Sequence, residues 1–180
     1  MKKYSGFKLV ITAMFASMVC VSTLCLQIPS PMGGYVNLGD VLVLMSAFLL
    51  GKKYGAAAAG IGSALADLFS GYGIYAPGTL IIKAATAFIA ALICEKQSSR
   101  LPQTMQRVLA GLIGEIIMVI GYLFYAWFFL SYGASAVASV PGNLAQGAIG
   151  IAVAAILTPM ISKPREIQEL LASFHSKKQN

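Results

Sequence analysis

Long apolar stretches alternate with short polar connections along this chain, and the alternation predicts the fold. A helix that crosses a bilayer needs about 20 apolar residues, within a range of about 17–25. Six apolar stretches can be marked, at Phe7–Leu26, Leu38–Leu50, Tyr54–Phe69, Pro77–Cys94, Val108–Leu130 and Pro141–Ile161. The second and third are short, so we expect flanking polar residues or a locally thinner bilayer to accommodate them. The pattern predicts an all-α, polytopic membrane protein with six transmembrane helices in one domain, residues 1–180.

The distribution of cationic residues predicts the orientation of these helices. Of the 13 Lys and Arg residues, all but Lys83 lie near the two termini or in the connections after the second and fourth stretches. The connections after the first, third and fifth stretches contain none. Cytoplasmic loops of membrane proteins are enriched in Lys and Arg. Both termini are therefore expected in the cytoplasm, and the net charge of +7 reflects topology and gives no reason to expect nucleic-acid binding.

Composition and missing motifs exclude several classes of function. Only 11% of residues are charged, against about 25% in an average soluble domain. The first apolar run is longer than the roughly 7–15 residues of a signal peptide and lacks a small-x-small cleavage site. The single histidine, His175, lies in the polar tail, and the cysteines have no metal-ligand spacing. No phosphate-binding loop is present. We therefore expect no metal, no cofactor and no ATP hydrolysis by this chain.

Small residues in the first stretch mark a face on which a helix could pack closely. Thr12 and Ala16 are four residues apart, and so are Ala13 and Ser17. Such spacing places each pair on one helical face, where it permits close approach of another helix in lipid. Packing within the chain and contact with a partner subunit are both open at this point. A similar series in the third stretch, Ala58, Gly62 and Ala66, is explained by packing within the chain.

Four ionisable residues fall within or at the ends of the apolar stretches: Asp40, Asp67, Lys83 and Glu115. A charge at the centre of a membrane helix costs about 2.5–3.5 kcal/mol on insertion scales, so such residues usually pair or serve function. Lys83 lies roughly 9 Å from the outer end of its helix, and both an ion pair with Asp67 and contact with a ligand are possible. Asp40 is expected to stabilise a helix N-terminus. Glu115 could contact a ligand, accept an interhelical hydrogen bond, or be protonated.

Polar and aromatic residues converge in the outer halves of the last three stretches. Thr79 shares a helical face with Lys83, and Asn143 points the same way as Gln146. Amide groups both donate and accept, as recognition of a heterocycle requires, although hydrogen bonds between helices would explain them too. The loop tyrosines could line a pocket or belong to an interfacial belt. The candidate substrate-binding residues are Lys83, Thr79, Glu115, Tyr122, Trp127, Asn143, Gln146, Tyr35 and Tyr75.

Several short segments resemble one family of membrane proteins. They are residues 37–40 (NLGD), 51–55 (GKKYG), 62–67 (GSALAD), 70–72 (SGY) and 77–79 (PGT), followed by Lys83. Together they resemble the substrate-binding S components of energy-coupling factor (ECF) vitamin transporters, most of all those for hydroxymethylpyrimidine, pyridoxine or riboflavin. The resemblance implies a vitamin-like small molecule bound at the outer side. It also implies a membrane coupling protein and two cytoplasmic ATPase subunits as partners, in the bacterial cell membrane.

The resemblance also implies where the coupling protein would bind. In this family a pair of small residues on the first helix contacts it, and the pair corresponds to Ala13 and Ser17, with Thr12 and Ala16 as the alternative. A stand-alone small-molecule transporter or channel is the main competing interpretation. A membrane enzyme would need paired carboxylates or a metal site at one depth, and Asp67 and Glu115 are expected at different depths.

Overall fold

The protein is described by a computed structural model, which covers residues 2–29, 35–96 and 101–175. Helices dominate it, with one short β-hairpin after the first helix. The elements are α1 (Lys2–Cys25), β1 (Gln27–Pro29), β2 (Tyr35–Asn37), α2 (Gly39–Phe69), α3 (Ala76–Lys96), α4 (Gln103–Phe124), α5 (Val140–Ile161) and α6 (Arg165–His175). A π-helical turn, Tyr125–Phe129, and a 3-10 helix, Gly133–Ser139, join α4 to α5.

Five helices in the described ranges are long and apolar enough to cross a membrane. They are Gly6–Cys25, Gly39–Phe69, Ala76–Lys96, Gln103–Phe129 and Gly133–Ile161. The first, third, fourth and fifth correspond to the first, fourth, fifth and sixth predicted stretches, although the fourth begins five residues before Val108 and the fifth eight residues before Pro141. The second helix, Gly39–Phe69, contains both of the short predicted stretches, Leu38–Leu50 and Tyr54–Phe69, because helical geometry resumes directly after a single non-helical residue.

That residue is Gly51, with φ 72° and ψ −178°. This backbone conformation is essentially restricted to glycine. The Ser46 hydroxyl donates to the Gly55 carbonyl at 3.1 Å, whereas residues nine apart in a continuous helix lie about 13.5 Å apart along the axis. The chain therefore turns back at Gly51, and α2 consists of two packed segments, 39–50 and 52–69. Sequence reasoning expected a short basic loop here and did not identify a one-residue break.

The centre of the bundle is α2, which contacts α1, α3, α5 and α6. Small residues allow these close approaches. A Cβ on Gly62 would lie 2.3 Å from the Ala16 carbonyl oxygen of α1, and one on Gly60 would lie 2.7 Å from the Leu80 carbonyl oxygen of α3. Ala58 and Ala66 are fully buried. The small-residue series of the third stretch therefore packs within the chain, as predicted.

The two small-residue pairs of α1 lie on different faces of that helix, one buried and one exposed. Thr12 and Ala16 are buried against the bundle, and the Thr12 hydroxyl donates to the Lys8 carbonyl at 2.7 Å. Ala13 and Ser17 are exposed. Thr12 and Ala16 are therefore used inside the chain, which corrects the alternative that they form a contact with a partner. The pair Ala13 and Ser17 is the one that a second protein could reach.

At the opposite end of the bundle from the β-hairpin, α6 packs against α1 and α2. Leu171 and Phe174 lie against the main apolar core. The Phe174 ring meets the Tyr54 ring edge-on at 5.3 Å, and the Lys8 ammonium lies 5.7 Å from the centroid of each ring. These contacts join the two ends of the described chain.

Candidate functional site

A cavity of about 570 Å³, including its open mouth, lies at the end of the bundle that carries the β-hairpin. Ten of the described residues line it: Tyr35, Asn37, Asp67, Tyr75, Thr79, Tyr122, Ala126, Ser139, Asn143 and Gln146. All except Ala126 carry a polar side-chain atom, so a ligand held here would be recognised mainly through hydrogen bonds and aromatic contact.

Several elements bring these side chains together from distant parts of the chain. The hairpin strand β2 supplies Tyr35 and Asn37, and the last turn of α2 supplies Asp67. Thr79 lies in the first turns of α3, and Tyr122 lies near the end of α4. Asn143 and Gln146 are three residues apart on α5 and face the same side. The cavity therefore depends on the packing of α2 to α5 and on the position of the hairpin.

Tyr35 links the hairpin to α2. Its hydroxyl donates to Asp67 Oδ1 at 2.7 Å, and its ring lies 4.9 Å from the Tyr72 ring. Burial, followed by the hydrogen bond to Asp67, raises the pKa of Tyr35 far above its ordinary value, so the phenol remains a hydrogen-bond donor. The second oxygen, Asp67 Oδ2, is buried and accepts no hydrogen bond from the described residues. A buried carboxylate oxygen without a partner is costly, so Asp67 is suited to accept a hydrogen bond from a ligand.

Lys83 forms a buried ion pair with Asp40 below the cavity. An ion pair with Asp67 was one of two possibilities for Lys83 from sequence, and Asp40 is the partner instead, because similar depth along the membrane normal does not decide which side chains meet. Asp40 is held by α5 as well, because Gln146 Nε2 donates to its Oδ2 at 2.6 Å. Lys83 does not line the cavity. Its ammonium lies 5.4 Å from the Tyr122 ring centroid, and the Tyr122 hydroxyl donates to Thr79 Oγ1 at 3.0 Å.

Gln146 joins this ion pair to the hairpin. Its Oε1 accepts a hydrogen bond from the Asn37 backbone N–H at 2.7 Å, while its Nε2 binds Asp40. The Asn37 side chain accepts from the Gly39 N–H at 2.7 Å, which stabilises the start of α2. The Gln146 amide therefore holds both Asp40 and the end of β2, which forms part of the cavity wall.

Two further predicted residues lie outside the cavity. Glu115 is 4% exposed and packs against Gly147, where an added Cβ would lie 3.1 Å from its Oε2. Trp127 is 37% exposed and lies beside Phe128, with ring centroids 6.4 Å apart. The π-helical turn explains the position of Trp127, because it changes the direction in which residues after Phe124 point compared with a regular α-helix. Ala126 lines the cavity instead.

Six of the predicted substrate-binding residues do surround the cavity: Tyr35, Tyr75, Thr79, Tyr122, Asn143 and Gln146. Sequence reasoning did not place Asn37, Asp67, Ala126 and Ser139 in the site. For Asn37 and Asp67 a signal existed, since both belong to the segments that carried the family resemblance. For Ala126 and Ser139 no signal existed, because an alanine in a turn and a serine in a loop are common everywhere.

Comparison with known proteins agrees with this architecture. The model of the protein family described as "ECF-type riboflavin transporter, S component" matches residues 3–163. The chain belongs to this family. The expected resemblance to ECF S components is thus confirmed. This S component is a multi-pass protein of the cell membrane, a vitamin-binding transporter subunit that works with an ECF module and is not an enzyme.

Two curated relatives and one solved structure are similar to this S component. A Pyrococcus woesei protein described as "Uncharacterized protein in gap 3'region" is 35% identical over 147 residues, which cover 81% of this chain and 95% of the relative. The "Thiamine precursor transporter HmpT" of Lactococcus lactis subsp. cremoris (strain MG1363) is 29% identical over 136 residues, covering 76% and 75%.

The solved structure, described as "Structure and mechanism of the S component of a bacterial ECF transporter", has a TM-score of 0.71 and 20% identity to this S component. The match covers 88% of this chain and 96% of the other. At this level of identity the likeness concerns the fold, and it agrees with the helical architecture described above.

Proposed function

We propose that this S component binds a small substituted pyrimidine or pyridine, of the hydroxymethylpyrimidine or pyridoxine type, with riboflavin as the next candidate. The observation that carries the proposal is the polar lining of the cavity, above all the buried Asp67 Oδ2 without a partner among the described residues. An amino or hydroxyl substituent on a heterocycle would donate to this oxygen. The similarity to a thiamine precursor transporter supports the same class of substrate.

The remaining polar groups of the cavity suit the edge and face of such a ring. No described residue forms a hydrogen bond with the Asn143 side chain, so its amide is free to donate and accept. The aromatic side chains of Tyr35, Tyr75 and Tyr122 border the same space and offer ring faces for stacking. We assign Lys83 a supporting role, because its ammonium is already bound to Asp40.

We further propose that the cavity opens to the outside of the cell and that both termini lie in the cytoplasm. The supporting observation is that cationic residues lie at the end of the bundle opposite the cavity. At the opposite end, Lys52 Nζ donates to Glu95 Oε2 at 2.9 Å, and Lys96 and Arg107 lie on the neighbouring ends of α3 and α4. With the two segments of α2 counted separately, the chain would cross the membrane six times.

The transport step would require partners. We propose that a membrane coupling protein contacts the exposed Ala13 and Ser17 face of α1, and that two cytoplasmic ATPase subunits supply the energy. This arrangement is supported by the family to which the chain belongs and by the exposure of that face. The alternative, a stand-alone transporter or channel, predicts uptake into liposomes that contain this chain alone.

Calorimetric titration of the purified protein with hydroxymethylpyrimidine, pyridoxine and riboflavin tests the substrate class. We expect tight binding of one of the first two and a much weaker response to riboflavin. Asn143→Ala should weaken binding, whereas Ser135→Ala, an exposed position in the 3-10 helix between α4 and α5, should leave it unchanged. Binding of riboflavin alone, or of none of the three, would refute the proposed substrate class.

A further inference from the structure

Glu115 is a buried acid that the cavity does not use. It is 4% exposed, and neither carboxyl oxygen has a hydrogen-bond partner among the described residues. The carboxyl group lies against the Gly147 backbone, since a Cβ on that glycine would come within 3.0–3.2 Å of Glu115 atoms. This close packing leaves the group on the α5 side of α4, in the middle of the predicted membrane span.

Three other ionisable groups among the described residues lie near Glu115: Asp40 of α2, Lys83 of α3 and Tyr122, two turns further along α4. Asp40 packs against Gly150, where a Cβ would lie 2.9 Å from Asp40 Cβ, and Gly150 is one turn after Gly147 on α5. Lys83 is bound to Asp40, and its ammonium lies 5.4 Å from the Tyr122 ring centroid. Gly147, the α5 residue that contacts Glu115, carries no charge.

The charges of these four residues, Asp40, Lys83, Tyr122 and Glu115, sum to zero only when Glu115 is neutral. Lys83 is already paired with Asp40, and Tyr122 is a neutral phenol whose hydroxyl binds Thr79. An ionised Glu115 would add an uncompensated negative charge within an apolar span, and it would lie near the negative charge of Asp40. Burying an unpaired carboxylate is far more costly than burying the protonated acid.

We propose that Glu115 is a proton-binding site inside the membrane-spanning bundle, and that its proton keeps the Asp40–Lys83 pair intact. If Glu115 loses this proton, the two carboxylates compete for the Lys83 ammonium. Lys83 then shifts from Asp40, and Asp40 is no longer fixed in position for Gln146. Because Gln146 also holds the Asn37 backbone, the change reaches the wall of the cavity and the β-hairpin. The proton on Glu115 thus controls the shape of the ligand site.

Infrared spectroscopy of the ligand-free protein in nanodiscs tests the site directly. A protonated carboxylic acid has a carbonyl stretch well separated from that of a carboxylate. The chain has four glutamates, Glu95, Glu115, Glu166 and Glu169, and all except Glu115 are exposed. We expect an acid band at neutral pH that shifts when glutamate carries ¹³C in its carboxyl group and that is lost at alkaline pH.

This isotope label identifies the glutamate without any mutation, so the test does not depend on the folding of a variant. Glu115→Gln should remove the band, whereas Glu95→Gln, in the exposed pair with Lys52, should leave it. Absence of an isotope-sensitive acid band from the wild-type protein at neutral pH would overturn the proposal, whatever the substrate proves to be.

A second measurement tests the coupling, and it rests on the proposed function. The affinity of the wild-type protein for hydroxymethylpyrimidine should fall about tenfold or more from neutral to alkaline pH, corresponding to about 1.4 kcal/mol. Glu115→Gln should keep the neutral-pH affinity and lose this dependence, and Glu95→Gln should behave as the wild type. Identical pH profiles for the wild type and Glu115→Gln would overturn the coupling while leaving the substrate assignment intact.

Discussion

Lys83 and Asp40, 43 residues apart in the sequence, form an ion pair that is almost completely buried, with 3% and 1% of the side chains exposed. The pair joins α2 to α3, and the hydrogen bond from Gln146 extends it to α5. Breaking such a pair by removing one partner leaves an uncompensated charge in an apolar environment. Three helices that form the cavity therefore depend on one pair of opposite charges, and Lys83 acts on the ligand site through this support.

Lys83→Met tests this supporting role. Loss of the ammonium leaves Asp40 unpaired, so we expect the free energy of unfolding to fall by about 3–5 kcal/mol. Thermal or denaturant unfolding of the purified protein in detergent measures the change. Lys52→Met, in the exposed pair with Glu95, is the matched control and should cost only about 0–1 kcal/mol.

The double variant Lys83→Met with Asp40→Asn separates the pair from general disruption of the core. Removing both charges should recover part of the lost stability, because no unpaired carboxylate remains. If the double variant is no more stable than Lys83→Met alone, then the lysine contributes through its packing and not through its charge.

Asn143 and Gln146 allow ligand recognition to be separated from structural support, because they share a helical face and differ in their hydrogen bonds. The Asn143 side chain has no hydrogen-bond partner among the described residues, whereas Gln146 binds both Asp40 and the Asn37 backbone. Asn143→Ala should weaken substrate binding, by about 1 kcal/mol for one hydrogen bond, with little effect on stability. Gln146→Ala should reduce both binding and the unfolding temperature.

Calorimetry and thermal unfolding of the same preparations check these outcomes. A loss of stability in Asn143→Ala that equals the loss in Gln146→Ala would mean that Asn143 is a structural residue as well. The assignment of Asn143 to ligand recognition would then be abandoned.

The helices could be predicted from sequence because the bilayer imposes both their length and their apolar composition. The positions of the side chains could be predicted only where a regular helix held. Asn143 and Gln146 both line the cavity, since α5 is regular there, whereas the π-helical turn directs Trp127 away from it. The possible pair of Lys83 with Asp67 is replaced by the pair with Asp40, because depth along the membrane normal says nothing about rotation of a helix about its own axis. From sequence, Asp67 was the possible partner of Lys83 and Asp40 was expected to stabilise a helix N-terminus, and only helix packing shows that Asp40 forms the pair.

Gly51 determines how the two segments of α2 meet, and its backbone conformation gives a further prediction. Gly51→Ala should reduce the free energy of unfolding by about 1–3 kcal/mol, because an L-residue is strained at φ 72° and ψ −178°. Gly6→Ala is the matched control: it lies in α1, where no heavy atom of the described residues comes within 4 Å of the new Cβ. That change should be neutral or stabilising by up to about 1 kcal/mol. Equal unfolding temperatures for both variants would contradict a sharp turn at Gly51.

The two faces of α1 permit a comparison between folding and assembly. Ala16→Leu should destabilise the chain, because the Ala16 backbone already lies against Gly62 and Ala16 is 8% exposed. Overpacking of this kind typically costs about 1–3 kcal/mol. Ala13→Leu adds the same side chain to the exposed face of the same helix, so folding and substrate binding should be unchanged. If a coupling protein contacts that face, Ala13→Leu should nevertheless abolish uptake by cells that express the complete transporter. Co-purification with the coupling protein and uptake of labelled substrate measure the effect, and normal uptake by Ala13→Leu would place the contact elsewhere on the protein.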